Sequence, residues 1–237
     1  MKTLGSNFWK KYFQVYDSLN ELIPYSALLS TIVEMLDIHD GDTVLDAGSG
    51  TGNLSILITQ AGGKVVAFDS SQEGMALHRC KQPTAILING DLMNPLPFDN
   101  SSFNKICSNN VIYTIPKKYR ESLFREFYRI LRPGGIIVVS NIRRNFSPTS
   151  IYGDHVRSSI RLYGLWRTTC NVVKLLFPII RIFYYNLRIQ SANHFHSYSF
   201  IDSGEQHSML ELAGFADISQ DYKVYSDQAI LNRAIKR

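Results

Sequence analysis

The sequence predicts an α/β fold with a mostly parallel sheet of seven strands, an antiparallel C-terminal hairpin and a helical insertion after the fifth strand. Over residues 43–140, short apolar runs alternate with amphipathic stretches, which is typical of crossover units in a parallel sheet. The last two apolar runs are joined through Ser226-Asp227, a connection too short to hold a helix. Residues 142–200 break the alternation and form the insertion.

Two helices are expected before the first strand, within residues 1–40. Aromatic residues recur at helical spacing over residues 7–20 and predict the first helix. Pro24 fits the first turn of the second helix, and an apolar stripe runs from Leu28 to Leu36. We interpret residues 1–237 as a single domain, with 142–200 as a helical lid or insertion.

The strands of the predicted sheet follow in order, each ending at a polar residue or a turn. They are Thr43–Ala47, Val65–Phe68, Ala85–Ile88, Phe103–Cys107, Ile136–Ser140, Ala216–Lys223 and Ala229–Ile235. The helix after the second strand is predicted to begin at Ser70, because Ser70 and Glu73 have the spacing of a capping box.

The positive net charge of +5 is concentrated in the insertion. Residues 142–200 hold eight Arg or Lys against the single acid Asp154. Arg or Lys recur every seven residues from Arg167 to Arg188, near one face of a helix that Pro178 is expected to kink or split. Three interpretations stay open. The segment is a lid with a solvated basic face, a surface of residues 157–190 that contacts an anionic membrane, or a nucleic-acid contact, which is least favoured because no recognition module is visible.

Composition argues against several other classes of protein. The cysteines number three and form no C-x-x-C pair, which argues against a disulfide framework and favours a reducing compartment. The first residues hold no apolar signal core, and no uncharged apolar run reaches the roughly 18 residues that span a bilayer. We therefore expect a cytoplasmic protein, soluble or peripheral to a membrane.

The carboxyl ends of the predicted strands carry the residues with the clearest chemistry. Ligands bind outside these ends in an open parallel sheet. Here they hold Asp46 with the glycine turn Gly48–Gly52, then Asp69, Asp91 and Asn109. A carboxylate such as Asp69 can accept two hydrogen bonds from a ribose diol, and Asp91 is placed for an adenine amine.

The glycine turn does not match two common nucleotide motifs. A dinucleotide fingerprint needs a glycine three residues after Gly50, where Asn53 stands. A phosphate loop needs Gly-Lys-Ser or Gly-Lys-Thr, which is absent. A plain tight turn is disfavoured because acids follow at successive strand ends.

Five segments form a set in a fixed order: Val44–Gly52, Phe68-Asp69, Gly90–Leu92, Asn109–Ile115 and Leu131–Gly135. Together they resemble the class I S-adenosylmethionine-dependent methyltransferases, and within these the small-molecule branch that includes ubiquinone and menaquinone C-methyltransferases. The resemblance covers residues 7–140 and, more weakly, residues 203–237. It implies a Rossmann-like fold, S-adenosylmethionine as the cofactor, and in-line attack of a nucleophile on the sulfonium methyl group.

The resemblance also implies roles for the residues that match. Gly48, Ser49 and Gly50 would pack against the amino-acid part and the ribose of the cofactor. Asp46 would help to order the turn and the ammonium group. Tyr16 would close over the cofactor.

Further matching residues lie at the next strand ends. Asp69 would bind the ribose, and Ser70 belongs to the same cofactor-binding set. Asp91 and Leu92 would contact the adenine, and Asn109 would lie near the methionyl part.

Two positions depart from the family pattern. The family often has His-His after its fourth strand, where this chain has Tyr113-Thr114. The Asn/Asp-Pro-Pro-aromatic motif of nucleic-acid amine methyltransferases is absent, which argues against a nucleobase-amine substrate. The catalytic residue stays open, and the candidate general bases are Tyr113, His155, His194 and His196. We expect no metal site, because the two histidines at 194 and 196 have no evident third ligand.

Two functions follow as hypotheses. The first is transfer of a methyl group from S-adenosylmethionine to a small hydrophobic or amphiphilic acceptor, such as a secondary metabolite, a quinone or a lipid. The alternative is a non-catalytic membrane- or partner-binding protein that retains the cofactor fold.

Overall fold

The computed structural model describes residues 6–193 and 199–237, which form a seven-stranded sheet between two hydrophobic clusters. The order of the strands across the sheet is β3-β2-β1-β4-β5-β7-β6. The strands are β1 (Thr43–Ala47), β2 (Lys64–Asp69), β3 (Ile86–Asn89), β4 (Phe103–Asn109), β5 (Leu131–Ile142), β6 (Tyr222–Val224) and β7 (Ala229–Ile235).

The predicted fold class is confirmed by the pairing of these strands. Strands β1 to β5 pair in parallel, and β7 pairs antiparallel with both β5 and β6. Residues Tyr225, Ser226 and Asp227 reverse the chain between β6 and β7, each with a positive φ between 55° and 61°. The short connection therefore forms a hairpin, as its length predicts.

The direction in which strands are added reverses between β1 and β4. The chain first builds β2 and β3 on one side of β1, then returns to place β4 and β5 on the other side. Helices connect the strands, and they are α3 (Asn53–Gln60), α4 (Gln72–Lys81), α5 (Lys117–Ile130) and α7 (Glu205–Leu212). A ligand crevice is expected at such a reversal, outside the carboxyl ends of the strands.

Two helices precede the sheet, as the sequence predicts. Helix α1 (Ser6–Tyr16) continues into a short 3-10 helix (Asp17–Glu21), and α2 (Ile23–Leu36) follows. Pro24 lies in the first turn of α2, where its missing N–H has no helical partner to lose. The buried side chains of α2 pack in the same hydrophobic cluster as α1.

The insertion after β5 is helical. Helix α6 (Pro148–Asn193) is interrupted at Gly164, which has φ 78° and ψ 169°. The helix does not split at Pro178, which lies inside its second half, so that part of the prediction is wrong, and a kink there stays a prediction. The break falls at Gly164 because a residue without a Cβ adopts that conformation at little cost. Over the described ranges, no helix combines the length and the apolar character needed to cross a membrane.

Two other local predictions are corrected by the structure. Of Ala216–Lys223, only its last residues join β6, and Ala216 makes an isolated bridge to β7. Between them, Asp217 has φ 50° and the Ser219 hydroxyl accepts from a backbone N–H of β7, so a regular ladder cannot form. The N-cap of α4 is Ser71 rather than Ser70, since the Ser71 hydroxyl accepts the Gly74 N–H at 3.0 Å.

Candidate active site

A cavity of about 880 Å³ lies at the carboxyl ends of the central strands, at the point where the strand order reverses. This volume is in the upper part of the range of about 300–1,000 Å³ that small-molecule sites occupy. Polar residues from the ends of β1, β2, β3 and β4 form one end of the cavity, which we call the polar end. Residues of α1, α2, α6 and the hairpin turn form the other, the apolar end.

The glycine turn after β1 is held by close packing of its backbone. Gly48 and Gly52 have φ values of 83° and 80°, which side chains rarely tolerate. A Cβ at Gly48 would overlap the Val111 side chain, and one at Gly52 would overlap the His78 ring. The turn therefore exposes backbone to the cavity only because both positions are glycine.

Asp69, at the end of β2, is fixed by two backbone donors. Its two carboxylate oxygens accept from the Gly50 N–H at 2.8 Å and the Ser71 N–H at 2.7 Å. Burial raises the pKa of Asp69, and these two hydrogen bonds oppose the rise. The carboxylate thus joins the glycine turn to the start of α4 and forms part of the cavity wall.

Asp46, at the end of β1, is almost fully buried. Its carboxylate accepts the Ser55 hydroxyl at 2.6 Å, which ties the end of β1 to α3. Burial raises the pKa of Asp46 to about 6, so its charge is held at an energetic cost near neutral pH. A cationic group in the cavity would relieve that cost.

Five buried polar atoms on residues of the cavity wall lack a hydrogen-bond partner among the described residues. They are Ser49 Oγ, Asn53 Nδ2, Asn109 Oδ1, Asn110 Oδ1 and Tyr152 Oη. A buried polar atom without a partner is destabilising by about 1–3 kcal/mol, and such atoms are rare in folded proteins. Four of the five, all but that of Tyr152, flank the glycine turn or the end of β4, so a polar ligand at the polar end would offer these four a partner.

All ten residues predicted to bind the cofactor lie on the wall of this one cavity. Those not yet placed are Ser70, exposed beside Asp69, Leu92, which is buried, and Asp91, whose carboxylate accepts the Met93 N–H at 2.9 Å. Tyr16 lies where the polar and apolar ends meet. The structure brings these residues together, and their binding of the cofactor stays a prediction.

Tyr16, which is half-buried, packs against the buried tyrosines Tyr12 and Tyr25. Its hydroxyl lies 3.2 Å from the Tyr25 hydroxyl. Burial raises the pKa of Tyr16, raises that of Tyr25 to about 12, and raises that of Tyr225 as well. These phenols therefore stay protonated at neutral pH and act as hydrogen-bond donors rather than bases.

Asp17 joins the N-terminal segment to the glycine turn, a role that sequence reasoning missed. Its carboxylate accepts the Thr51 hydroxyl at 2.6 Å and the Lys81 ammonium group at 2.9 Å. Lys81 also donates to Asn53 Oδ1 at 2.6 Å. The only signal in the sequence is the Tyr16-Asp17 pair, of which the resemblance gives a role to Tyr16 alone.

The candidate general bases are placed differently. Tyr113 lies on the cavity wall, and its ring stacks on Phe200 with 5.3 Å between centroids. His155 is buried away from the wall, where its Nδ1 accepts the Ile23 N–H at 3.2 Å at the start of α2. Burial lowers the pKa of His155, so it serves the fold as a neutral cap. His194 and His196 lie outside the described residues.

The apolar end is assembled from segments far apart in sequence. Side chains from both halves of α6 contribute, with Trp9 of α1 and Tyr225 of the hairpin turn. The contributors from α6 and the segment before it are Phe146, Ile151, Tyr152, Ile179, Ile180, Ile182 and Phe183. No local pattern links these positions, and sequence reasoning assigned them only to a lid in general.

The charges around the cavity have one sign. Its wall holds four carboxylates, those of Asp46, Asp69, Glu73 and Asp91. Among the described wall residues there is no Lys, Arg or His. A cavity lined in this way favours a cationic ligand over an anionic one.

Comparison with known proteins agrees with this architecture. Residues 45–139 match the family model described as "Methyltransferase domain". The chain is 36% identical over 130 residues to a malonyl-[acyl-carrier protein] O-methyltransferase of Pectobacterium atrosepticum, covering 54% of this chain and 48% of the relative. It is 30% identical over 136 residues to a demethylmenaquinone methyltransferase of Staphylococcus epidermidis, covering 53% and 54%. The chain thus spans about half the length of the curated relatives it matches.

A solved structure extends the likeness to almost the whole chain. A SAM-dependent methyltransferase from Aquifex aeolicus superposes with a TM-score of 0.59 over 93% of each chain, at 14% identity, which shows the fold alone. Residues 45–139 thus resemble a methyltransferase domain, and the strand order and the structural neighbour agree with a Rossmann-like fold. Within that class, the predicted resemblance to the ubiquinone and menaquinone methyltransferases is confirmed by the relatives that carry those names.

Proposed function

We propose that this protein transfers a methyl group from S-adenosylmethionine to a small apolar acceptor. The observation that carries the proposal is the division of one cavity into a polar end with unsatisfied buried groups and an apolar, aromatic end. The family match and the named relatives support S-adenosylmethionine as the cofactor.

The residues at the polar end suit this cofactor. Asp69 is fixed for a ribose diol, and Asp46 offers a buried negative charge for an ammonium group. Ser49 and Asn109 offer polar atoms that the protein itself leaves without partners. The bound cofactor would supply a methyl group already activated by positive sulfur.

The chain's own residues then need to orient the acceptor and exclude water. The apolar end presents aromatic faces, and α1 and α6 cover it. The phenols of Tyr16 and Tyr25 offer hydrogen bonds as donors. Tyr113 is the candidate base that lines the cavity, and its role as a base stays a prediction.

The lack of cationic side chains on the described wall narrows the acceptor class. On the described wall a free carboxylate would meet no cationic side chain, and only the sulfonium of the bound cofactor would offset its charge. The name of the Pectobacterium relative specifies a malonyl group, whereas that of the Staphylococcus relative specifies a quinone precursor. Of these two chemistries, the cavity favours an apolar ring over an acid.

The alternative hypothesis was a non-catalytic membrane- or partner-binding protein, and the lack of catalysis that it requires has no observation in its favour. The family model and the relatives reported above are named for methyl transfer. The cavity volume of about 880 Å³ also lies within the range that small-molecule sites occupy.

The proposal is tested by incubating the protein with methyl-labelled S-adenosylmethionine and either reduced demethylmenaquinone in detergent or malonyl-acyl-carrier protein. We expect label in the apolar product, identified by mass spectrometry, and none in the malonyl thioester. Asp69→Ala should abolish labelling, whereas the exposed control Asp99→Ala should not. Cofactor binding without label in either acceptor or in a lipid extract would contradict the proposal.

A further inference from the structure

The second half of α6 carries large apolar side chains that face outward. Those on one face, which we call the apolar stripe, are Trp166, Val173, Phe177, Ile180, Tyr184 and Leu187. Their exposed fractions range from 81% for Trp166 to 44% for Leu187. At 3.6 residues per turn they lie within an arc of about 80°. Contiguous exposed apolar surface of this kind marks a contact with a partner or a membrane.

A row of cations borders one edge of this stripe. The basic row consists of Arg167, Lys174, Arg181 and Arg188, each one position after a member of the stripe. The Arg181 guanidinium lies 5.9 Å from the centre of the Phe177 ring, and Arg188 donates to the Tyr184 hydroxyl at 3.2 Å. The row and the stripe therefore form one continuous surface.

Nothing in the segment neutralises the basic row. Residues 155–193 contain no Asp or Glu. The ion pairs of the described residues involve other Lys and Arg, none of them in this row. The surface is thus ready for a partner that is negative and apolar together.

The protein's own core uses the opposite face of α6. Leu175, Ile182 and Tyr185 are buried there. The Tyr185 ring contacts the rings of Phe8 and Tyr12 of α1 at centroid distances of 5.3 and 6.0 Å. The stripe is therefore left out of the fold while the helix beneath it is firmly packed.

We propose that the apolar stripe and the basic row dock the protein onto the surface of an anionic membrane. An apolar face bordered by Lys and Arg, with an exposed Trp, is the pattern of helices that lie in the membrane interface. Charge complementarity selects this occupant, because anionic headgroups neutralise the row. A second copy would bring the same four cations into the interface with no acid from this segment to meet them.

The docking surface continues into the wall of the cavity. Ile180 belongs both to the stripe and to the cavity wall, and Phe183 beside it is partly exposed and also lines the cavity. A docked membrane would lie against the apolar end. If the protein transfers methyl groups as proposed, the acceptor would reach the cavity from the bilayer. That consequence rests on the proposed function, whereas the docking itself does not.

The test is co-sedimentation of the full chain, without cofactor or acceptor, with phosphatidylcholine vesicles and with vesicles containing phosphatidylglycerol. Omitting the reaction's ligands keeps the result independent of the proposed activity. We expect binding to the anionic vesicles only, weakened by salt. Lys174→Glu with Arg181→Glu should lower the partition constant at least about 30-fold, since each cation near the surface is worth about 1 kcal/mol.

Matched controls separate the surface from general charge and apolarity. Lys118→Glu with Lys223→Glu makes the same change in net charge at exposed sites elsewhere and should leave most binding intact. Val173→Ser with Phe177→Ser should weaken binding, whereas Leu212→Ser with Tyr222→Ser, also exposed, should not. Circular dichroism checks that each variant folds.

Fluorescence reports the docking contact directly. Trp166 is exposed, and we expect its emission to shift to the blue and to be quenched by brominated lipids on binding. Trp166→Phe removes this signal and leaves that of Trp9. The proposal would be overturned if the charge-matched control lost as much vesicle binding as Lys174→Glu with Arg181→Glu, or if the protein bound both kinds of vesicle equally. Dimerisation through this face without vesicle binding would also overturn it.

Discussion

The polar and apolar ends of the cavity are built in opposite ways. The polar end comes from short turns at neighbouring strand ends, and backbone groups fix it: Asp69 accepts two backbone N–H groups, and Gly48 and Gly52 admit no Cβ. The apolar end comes from side chains between Trp9 and Tyr225 in sequence, most of them on helices. The first is specified by backbone geometry, and the second by packing.

This difference explains why one fold can serve many acceptors. Substitutions at the polar end disturb hydrogen bonds and positive φ angles that are hard to replace. Substitutions at the apolar end exchange one hydrophobic side chain for another and change the shape of the cavity. We therefore expect stability and cofactor binding to depend on the polar end, and choice of acceptor on the apolar end.

The largest expected effect comes from crowding the glycine turn. Gly52→Ala combines a positive φ with overlap against the His78 ring, and should destabilise the fold by about 2–5 kcal/mol. Gly134→Ala is the control, because Gly134 has φ 77° with no atom within 4 Å, so only the conformational cost of about 1–2 kcal/mol applies. Urea unfolding measures the loss of stability in both variants. Equal losses in Gly52→Ala and Gly134→Ala would show that packing against His78 does not hold the turn.

Asp46 tests whether the polar end holds an unfavourable buried charge. Because burial raises its pKa from 3.8 to about 6, the stability it provides is complete below pH 3.8 and is lost as the pH rises through 6. Asp46→Asn should therefore be more stable than the wild type at pH 7.5 by about 3 kcal/mol. The difference in unfolding free energy between Asp46→Asn and the wild type should nearly vanish at pH 4. Urea unfolding at both pH values checks this, and a gap independent of pH would refute it.

The smallest effect is expected where Asp17 links the two ends. Asp17→Asn weakens the partly exposed ion pair with Lys81 and the bond from Thr51, which together are worth about 1 kcal/mol. Hydrogen exchange should quicken over residues 6–21 but not in the core strands. The exposed control Asp99→Asn should change the exchange of neither region. Unchanged exchange in Asp17→Asn would show that Asp17 does not hold residues 6–21 to the glycine turn.

What the sequence could predict follows the same division between the ends. The strands were found because buried apolar runs are local patterns, and β1 agrees with its prediction at both residues, Thr43 and Ala47. Nine of the ten residues predicted to bind the cofactor, all but Tyr16 of α1, reached one cavity wall because the carboxyl ends of parallel strands meet at one edge. The sequence therefore predicted the polar end best, because its residues lie in short turns that follow recognisable strands.

The remaining features depend on contacts that no local pattern contains. The break in α6 fell at Gly164 rather than Pro178, because a helix packed against α1 and α2 tolerates the loss of one backbone donor. His155 became a neutral cap because the fold brings it to Ile23, far away in sequence. Tyr152 and Tyr225 reached the cavity by tertiary packing alone.

Calorimetric titration with S-adenosylmethionine tests the central claim, that the two ends bind different ligands. The wild type should bind, and Asp69→Ala should weaken binding at least about 100-fold, because hydrogen bonds to a charged group are worth about 1.5–3 kcal/mol each. Phe146→Ala, at the apolar end, should leave cofactor affinity within about twofold. Equal weakening by both variants, or no binding by the wild type at millimolar cofactor, would contradict the account.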